Sequence, residues 1–254
     1  MTGLLASPAA ARLALIGAVL LLWEAACRLG GMSPILIAPP SAILWQMIRI
    51  LAAASEVPEF YSNAGITLAE IIVAYVITAA LGMALGLLFA TSKLLGDAFE
   101  PVLLVLYAIP KIILYPVIVL ILGIGMTPKI VFGIVVGIFA VVFNTAAGLR
   151  QIEPNYVSLA RAMGYGRWQI FFKVELPAAA PTILSGLRLG FGYTIVGVLT
   201  GELLVVNQGL GFLISWASVN YFTPQLFAMI ILTLAIGAVG NLLFAALERR
   251  WVRE

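Results

Sequence analysis

The chain has 254 residues, of which 63% are hydrophobic and only 10% charged, with a formal net charge of +3 and a mean hydropathy of +1.13. Such values lie far from soluble-domain averages and describe an integral membrane protein. At roughly 20 residues per crossing, about six helices and their connections fill the chain, so one all-α membrane domain over 1–254 is expected.

Apolar runs predict spans at 12–29, 66–91, 102–122, 130–149, 182–204 and 226–247. The first sits where a signal peptide would, but its apolar run is long, it carries Trp23 and Glu24, and no clean small-residue cleavage site follows. Glu24 also occupies the position three before Cys27 where a lipoprotein signal has an aliphatic residue, so Cys27 reads as a packing residue. Beyond this span, Ser41 can cap an amphipathic helix with Ile43, Leu44, Met47, Ile48 and Leu51 on one side and Gln46 and Arg49 toward water, expected to lie on the membrane.

Polar residues inside spans are expensive in lipid and are functional candidates. Glu70, Lys111, Asn144, Arg188 and Glu202 qualify. Lys111 follows Pro110 and precedes Pro116, so the third span should be kinked and expose carbonyls where a pathway could use them. Lys111, Tyr115, Asn144 and Glu202 are candidate substrate-pathway residues, and the alternative for the two charges is an ion pair between Lys111 and Glu202. Glu70 and Arg188 read as inter-helix partners or snorkelling side chains. Glycines such as Gly82, Gly86, Gly133, Gly137, Gly186 and Gly190 suit close helix packing. Between the last two spans, residues 207–224 suit a short re-entrant or interfacial helix.

Basic residues set the orientation. With the N-terminus inside, Arg12, Lys93, Arg150, Arg161, Arg167, Lys173, Arg188, Arg249, Arg250 and Arg253 fall on the inner side, against Arg28, Arg49 and Lys129 outside. Both termini are therefore expected in the cytoplasm of a multi-pass protein. The net positive charge is then a topology signal, with no nucleic-acid partner implied. The chain has no His and one Cys, and no lysine stands in a G-x-x-x-x-G-K-[ST] loop. A His-based nucleophile or metal site and a P-loop nucleotide site are excluded, so no catalytic residue, metal or cofactor is expected on this chain.

The longest inner connection runs from about 150 to 181, and loops of that length usually have a task. Pro154 suits the first turn of a short helix capped near Glu153 or Asn155, carrying Tyr156, Val157, Leu159, Ala160, Ala162 and Met163 and ended by Gly164-Tyr165-Gly166. A second short helix is expected at 167–174, with Trp168, Ile170, Phe171 and Phe172 anchoring it, stopped by Pro177 and Pro181 before the next span. The pair reads either as an interfacial element on lipid headgroups or as a docking element whose first helix fits a groove on another protein.

Residues 158–177 resemble the E-A-A-x-x-x-G-x9-I-x-L-P signature of bacterial ABC importer permease subunits. Ser158 and Leu159 stand for its Glu and first Ala, Ala160 and Gly164 match, Val174 stands for Ile, and Leu176-Pro177 completes it. Further pieces are similar to the nitrate/sulfonate/taurine type of permease: Ala38-Pro39-Pro40-Ser41, Ile109-Pro110-Lys111, Tyr115-Pro116, Asn144-Thr145, Gly209-Leu210-Gly211 and Leu247-Glu248-Arg249-Arg250. The resemblance implies a type I ABC importer permease fold in the bacterial inner membrane. It implies a homodimer, two ATP-binding cassette ATPase subunits carrying the ATP and Mg, and a periplasmic or extracellular substrate-binding protein. By the same resemblance Ser158, Leu159, Ala160, Arg161, Met163, Gly164, Leu176 and Pro177 would couple to the ATPase, and the substrate would be a small organic or inorganic anion. The chemical rival is a secondary transporter driven by an ion gradient, with Glu70, Lys111 and Glu202 as coupling charges. Such proteins often carry internal repeats, and none is evident here.

Overall fold

The computed structural model describes residues 8–30, 33, 35–205 and 207–252, with side chains through residue 246; Arg253 and the side chains of Leu247 to Arg250 lie outside the described residues. The described residues are helical, in the order α1 (Pro8–Leu29), α2 (Pro40–Leu51), α3 (Phe60–Thr91), α4 (Lys93–Ala108), a 3-10 turn (Lys111–Leu114), α5 (Tyr115–Leu122), α6 (Met126–Arg150), α7 (Pro154–Ala162), α8 (Arg167–Ile170), a π turn (Phe171–Glu175), α9 (Leu176–Leu204), α10 (Leu210–Val219) and α11 (Thr223–Val252). Five helices are long and apolar enough to cross a membrane, and α4 with the 3-10 turn and α5 passes the same test only as a pair bent by 88°. Five of the six expected spans are thus single helices, and the third is replaced by this sharply broken pair rather than a kinked helix. Ile109 is driven to an extended conformation (φ −66°, ψ 132°) by the proline that follows it.

The helices pack as two compact units, one within Met1–Ala64 and Gln208–Ala235, the other within Gly65–Asn207 and Ile236–Glu254. In the first, the turn into α2 is held by α1. The N-cap position belongs to Pro39, with Pro40 opening the helix. The Glu24 carboxylate accepts the Ser41 N–H at 3.0 Å and the Ser41 hydroxyl at 2.8 Å, while Arg28 Nε donates to Glu24 at 2.5 Å. Ser41 is therefore not the cap expected from the sequence; an acidic side chain from α1 supplies the anion that a helix N-terminus favours. Arg49 folds back to donate to the Ala54 carbonyl, and the Tyr61 hydroxyl donates to the Leu51 carbonyl. Ile43 and Ile50 form the buried face of α2, whereas Leu44, Trp45 and Ile48 stay more than half exposed. The short helix expected between the last spans is α10, whose entry is fixed by the Gly209 N–H donating to Asn63 Oδ1 at 2.7 Å.

In the second unit α6 and α9 form the principal helix pair. Their approach is set by small residues: a Cβ on Gly137 would lie 2.2 Å from Thr194 Oγ1, and one on Gly197 would lie 2.8 Å from the Gly133 Cα. In lipid, where burial of apolar surface does not drive association, such close backbone contact is what holds helices together. Ile71, Ala74 and Val198 form the buried core between α3 and α9, flanked by Ile130, Ile134, Phe191 and Ile195.

Candidate functional site

The connection between α6 and α9 is rooted by Arg150, the last residue of α6. Its Nη1 lies 2.6 Å from Glu100 Oε2 on α4, and its Nη2 donates to the Phe89 carbonyl near the end of α3 at 3.0 Å. The last carbonyls of α3 have no helical donors of their own, and a guanidinium with a fixed fork can serve one of them and a carboxylate together.

From this root the chain enters α7 with Glu153 at the cap and Pro154 at the first position, as the sequence predicts. Ser158 Oγ donates to the Pro154 carbonyl at 3.0 Å, which uses its hydroxyl within the helix. Gly164 ends the helix at φ 81°. Its N–H donates to the Arg161 carbonyl and the Tyr165 N–H to the Ala160 carbonyl, the paired bonds of a Schellman ending. The result fixes a sidedness: Ala160 is 4% exposed and faces the protein, while Tyr156, Leu159 and Met163, at helical spacing along the other side, are 55–64% exposed. Arg161 is exposed with them.

The second half differs from expectation. The helix from Arg167 runs without interruption to Leu204, so Pro177 and Pro181 do not stop it. A π turn over Phe171–Glu175 widens the coil directly before Leu176-Pro177, and the proline then occupies a first-turn position where its absent N–H is tolerated. Leu176 and Pro177, both exposed, thus join the loop rigidly to the span. The aromatic anchor is also divided: Ile170 is buried, but Trp168 and Phe172 stack on each other at 6.2 Å with 74% and 59% of their surfaces exposed.

A second cluster lies where the N-terminal halves of α3 and α6 meet the C-terminal end of α9. Lys129 Nζ is 3.5 Å from Glu70 Oε1 with both side chains fully buried. Glu202, also fully buried, lies against Glu70 and accepts a hydrogen bond from Thr67 Oγ1 at 2.7 Å. Beside them the Tyr115 hydroxyl donates to the Gly201 carbonyl at 2.9 Å, and its ring packs on Phe132. Three ionisable groups with no exposure are tolerable only because they face one another and polar neighbours.

These positions correct several expectations. Lys129, assigned to an outer loop, stands in the first turn of α6 and is the buried cation. Glu70 is its partner, one of the two roles expected of that carboxylate. Glu202 belongs to this cluster and does not pair with Lys111. Tyr115, offered as a pathway residue, is 1% exposed. Lys111 sits at the break of the bent span, where its Nζ donates to the Tyr107 carbonyl at 2.9 Å and lies 4.5 Å from the Tyr107 ring and 5.1 Å from that of Phe139. In an unbroken helix the residue 111 N–H would take that carbonyl; here the ammonium of the same residue does so, at the negative end of α4. Asn144 donates to the Ala140 carbonyl one turn back on α6, with its Cβ against Gly186. Arg188 is an inter-helix partner as expected, donating to Asn241 Oδ1 at 2.9 Å from the middle of α9. Lys129 was missed because the apolar run begins only at Ile130, which leaves the lysine just outside the expected span.

This arrangement of long, closely packed apolar helices around a helical connection of fixed sidedness defines a membrane-embedded transport subunit. The chain belongs to the family of binding-protein-dependent transport system inner membrane components, whose model matches residues 78–253. It is 29% identical to the nitrate import permease protein NrtB of Synechocystis sp., over 90% of this chain and 82% of that one. It is 27% identical to the taurine transport system permease protein TauC of Escherichia coli, over 92% and 86%. It is 28% identical to the formylaminopyrimidine transport permease protein ThiX of Halalkalibacterium halodurans, over 91% and 89%. Among solved structures, a chain of the inward-facing MetNI methionine ABC transporter shares the fold with a TM-score of 0.67 at 20% identity, over 76% of this chain and 95% of that one. A chain of an amino acid ABC transporter does so with a TM-score of 0.61 at 21% identity, over 80% and 97%. The protein is thus a multi-pass permease component with a type I ABC importer fold.

Proposed function

We propose that this permease is driven by a separate ATPase that docks on α7, and that it works as a homodimer with two such ATPases and a substrate-binding protein on the opposite side of the membrane. The observation that carries this reading is the exposed apolar row of Tyr156, Leu159 and Met163 on a helix closed by left-handed Gly164. An amphipathic helix laid into a groove is read through anchors at this spacing. The continuous coil from Arg167 to Leu204 supports it further, because a push on the loop would reach α9 without a flexible joint. With the loop inside, we infer that both termini lie in the cytoplasm, a reading supported by the excess of basic residues on that side.

For the substrate we infer a small organic or inorganic anion, nitrate-, sulfonate- or taurine-like. Relatives carry the names of nitrate, taurine and aliphatic sulfonate permeases, and Lys111 places a cation at the break of a bent span. Affinity purification of the tagged chain with an ATP analogue tests the coupling. Recovery of a P-loop ATPase, lost on Leu159→Asp with Met163→Asp, is expected. Recovery of the chain alone, with transport surviving the double substitution, would instead support the gradient-driven reading.

A further inference from the structure

Beside the coupling helix, a cleft of about 620 Å³ opens between the ends of the spans and the loop, lined by Leu87, Ala90 and Thr91 of α3, Leu149 of α6, Arg161, Tyr165, Arg167 and the residues Trp168, Ile170, Phe171 and Glu175 that follow. Its two parts differ in chemistry. The inner wall consists of the last turns of two membrane-crossing helices and is mainly apolar, through Leu87, Ala90 and Leu149, with Thr91 as its polar member. The mouth carries two guanidiniums, Arg161 and Arg167, against one carboxylate, Glu175, an excess of one positive charge. Neither arginine has a carboxylate partner: the ion pairs among the described residues join Arg28 to Glu24, Lys129 to Glu70 and Arg150 to Glu100.

We propose that this cleft binds an anionic phospholipid of the phosphatidylglycerol type, its phosphodiester between Arg161 and Arg167 and one acyl chain along Leu87, Ala90, Leu149 and Phe171. Three features favour a lipid over a free anion. The cleft begins where the apolar helices α3 and α6 end, on the side of the chain where the aromatic and basic residues of the loop gather. Its inner wall offers a free phosphate little, whereas it suits an acyl chain. Trp168 and Phe172 project beside the mouth in the stacked, exposed arrangement that interfacial aromatics adopt next to basic side chains. Glu175 is placed to accept from the hydroxyls of a glycerol headgroup, which a choline headgroup lacks. This inference concerns the flank of the loop and shares Arg161 with the proposed docking helix α7, so the lipid and the ATPase would meet at that residue.

The test uses the full chain in phosphatidylcholine vesicles containing brominated-acyl phosphatidylglycerol or brominated-acyl phosphatidylcholine. The Trp168 signal is taken as the difference between the native chain and Trp168→Phe. One excess charge near the surface corresponds to about a fivefold preference for the anionic lipid. The expected result is that preference in the native chain, its loss in Arg161→Gln/Arg167→Gln and its retention in Arg161→Lys/Arg167→Lys, which separates lost charge from lost folding. Equal quenching by the two lipids in the native chain, or a preference that survives in the glutamine pair, would overturn the proposal. Abolition of the preference by millimolar inorganic phosphate, with no effect of equimolar chloride, would assign the arginines to a free anion and overturn it equally.

Discussion

Lys129 of α6 and Glu70 of α3 face each other at 3.5 Å with no exposure to the surroundings. Around this contact three helices are joined by polar side chains beside their apolar core, since Glu202 of α9 touches the same carboxylate while holding Thr67. A buried ion pair adds little over a well-packed apolar pair, yet removing one member leaves an uncompensated charge.

Lys129→Met is therefore expected to destabilise the folded protein by about 3–5 kcal/mol. Unfolding monitored by heating in mild detergent reads this directly. The companion variant Lys129→Met/Glu70→Gln, which removes the stranded charge, should recover part of the loss. A single Lys129→Met that melts with the native protein refutes the idea that the cluster fastens α3, α6 and α9.

At Glu202 the two roles of the carboxylate separate. Glu202→Gln keeps an acceptor for Thr67 Oγ1, whereas Glu202→Ala removes this hydrogen bond. The alanine variant should be the less stable by about 0.5–1.5 kcal/mol, the net contribution of a hydrogen bond. Equal melting of the two variants counts against the hydrogen bond as a contributor.

Gly164 tests the coupling loop. With φ at 81°, an L side chain there costs about 1–2 kcal/mol, although nothing lies within 4 Å of the space a Cβ would fill. Gly164→Ala is thus a backbone perturbation without a clash. It should loosen the end of α7, lower ATPase recovery in purification and lower uptake, and leave whole-protein melting nearly unchanged, because the loop stands apart from the packed spans. Gly164→Asn, which tolerates the left-handed region better, should lie between alanine and glycine. Normal ATPase recovery and uptake in Gly164→Ala would remove the argument from this turn.

Much of this architecture is legible in the sequence, and the exceptions share a physical cause. Apolar runs placed the spans, and Pro154 with Gly164 bounded α7, because those signals are local. What the sequence concealed depends on long-range partners. Lys129 reads as a loop cation until Glu70, far away in the chain, is brought beside it. Ser41 reads as a cap until Glu24 of the preceding helix takes its N–H and hydroxyl. Pro177 reads as a terminator, but a π turn just before it makes room for the ring. At the bent span the two prolines did announce a distortion, but not that Lys111 would serve the carbonyl the break sets free.

Lys111 carries the substrate argument, and two of its roles give different readouts. As the group holding the Tyr107 carbonyl at 2.9 Å at the end of α4, its ammonium stabilises that terminus by about 0.3–1 kcal/mol, which Lys111→Arg should keep and Lys111→Met should lose. As a cation near the path of a small anion, it should matter to charged cargo only. Lys111→Gln is expected to reduce uptake of anionic candidates such as taurine or nitrate more than that of a neutral one, at a stability no lower than that of Lys111→Met. Loss of both kinds of uptake in parallel, tracking the drop in stability, would leave the residue as a helix cap and take the charge of the substrate out of the argument, because the ammonium would then act only through the geometry of the break.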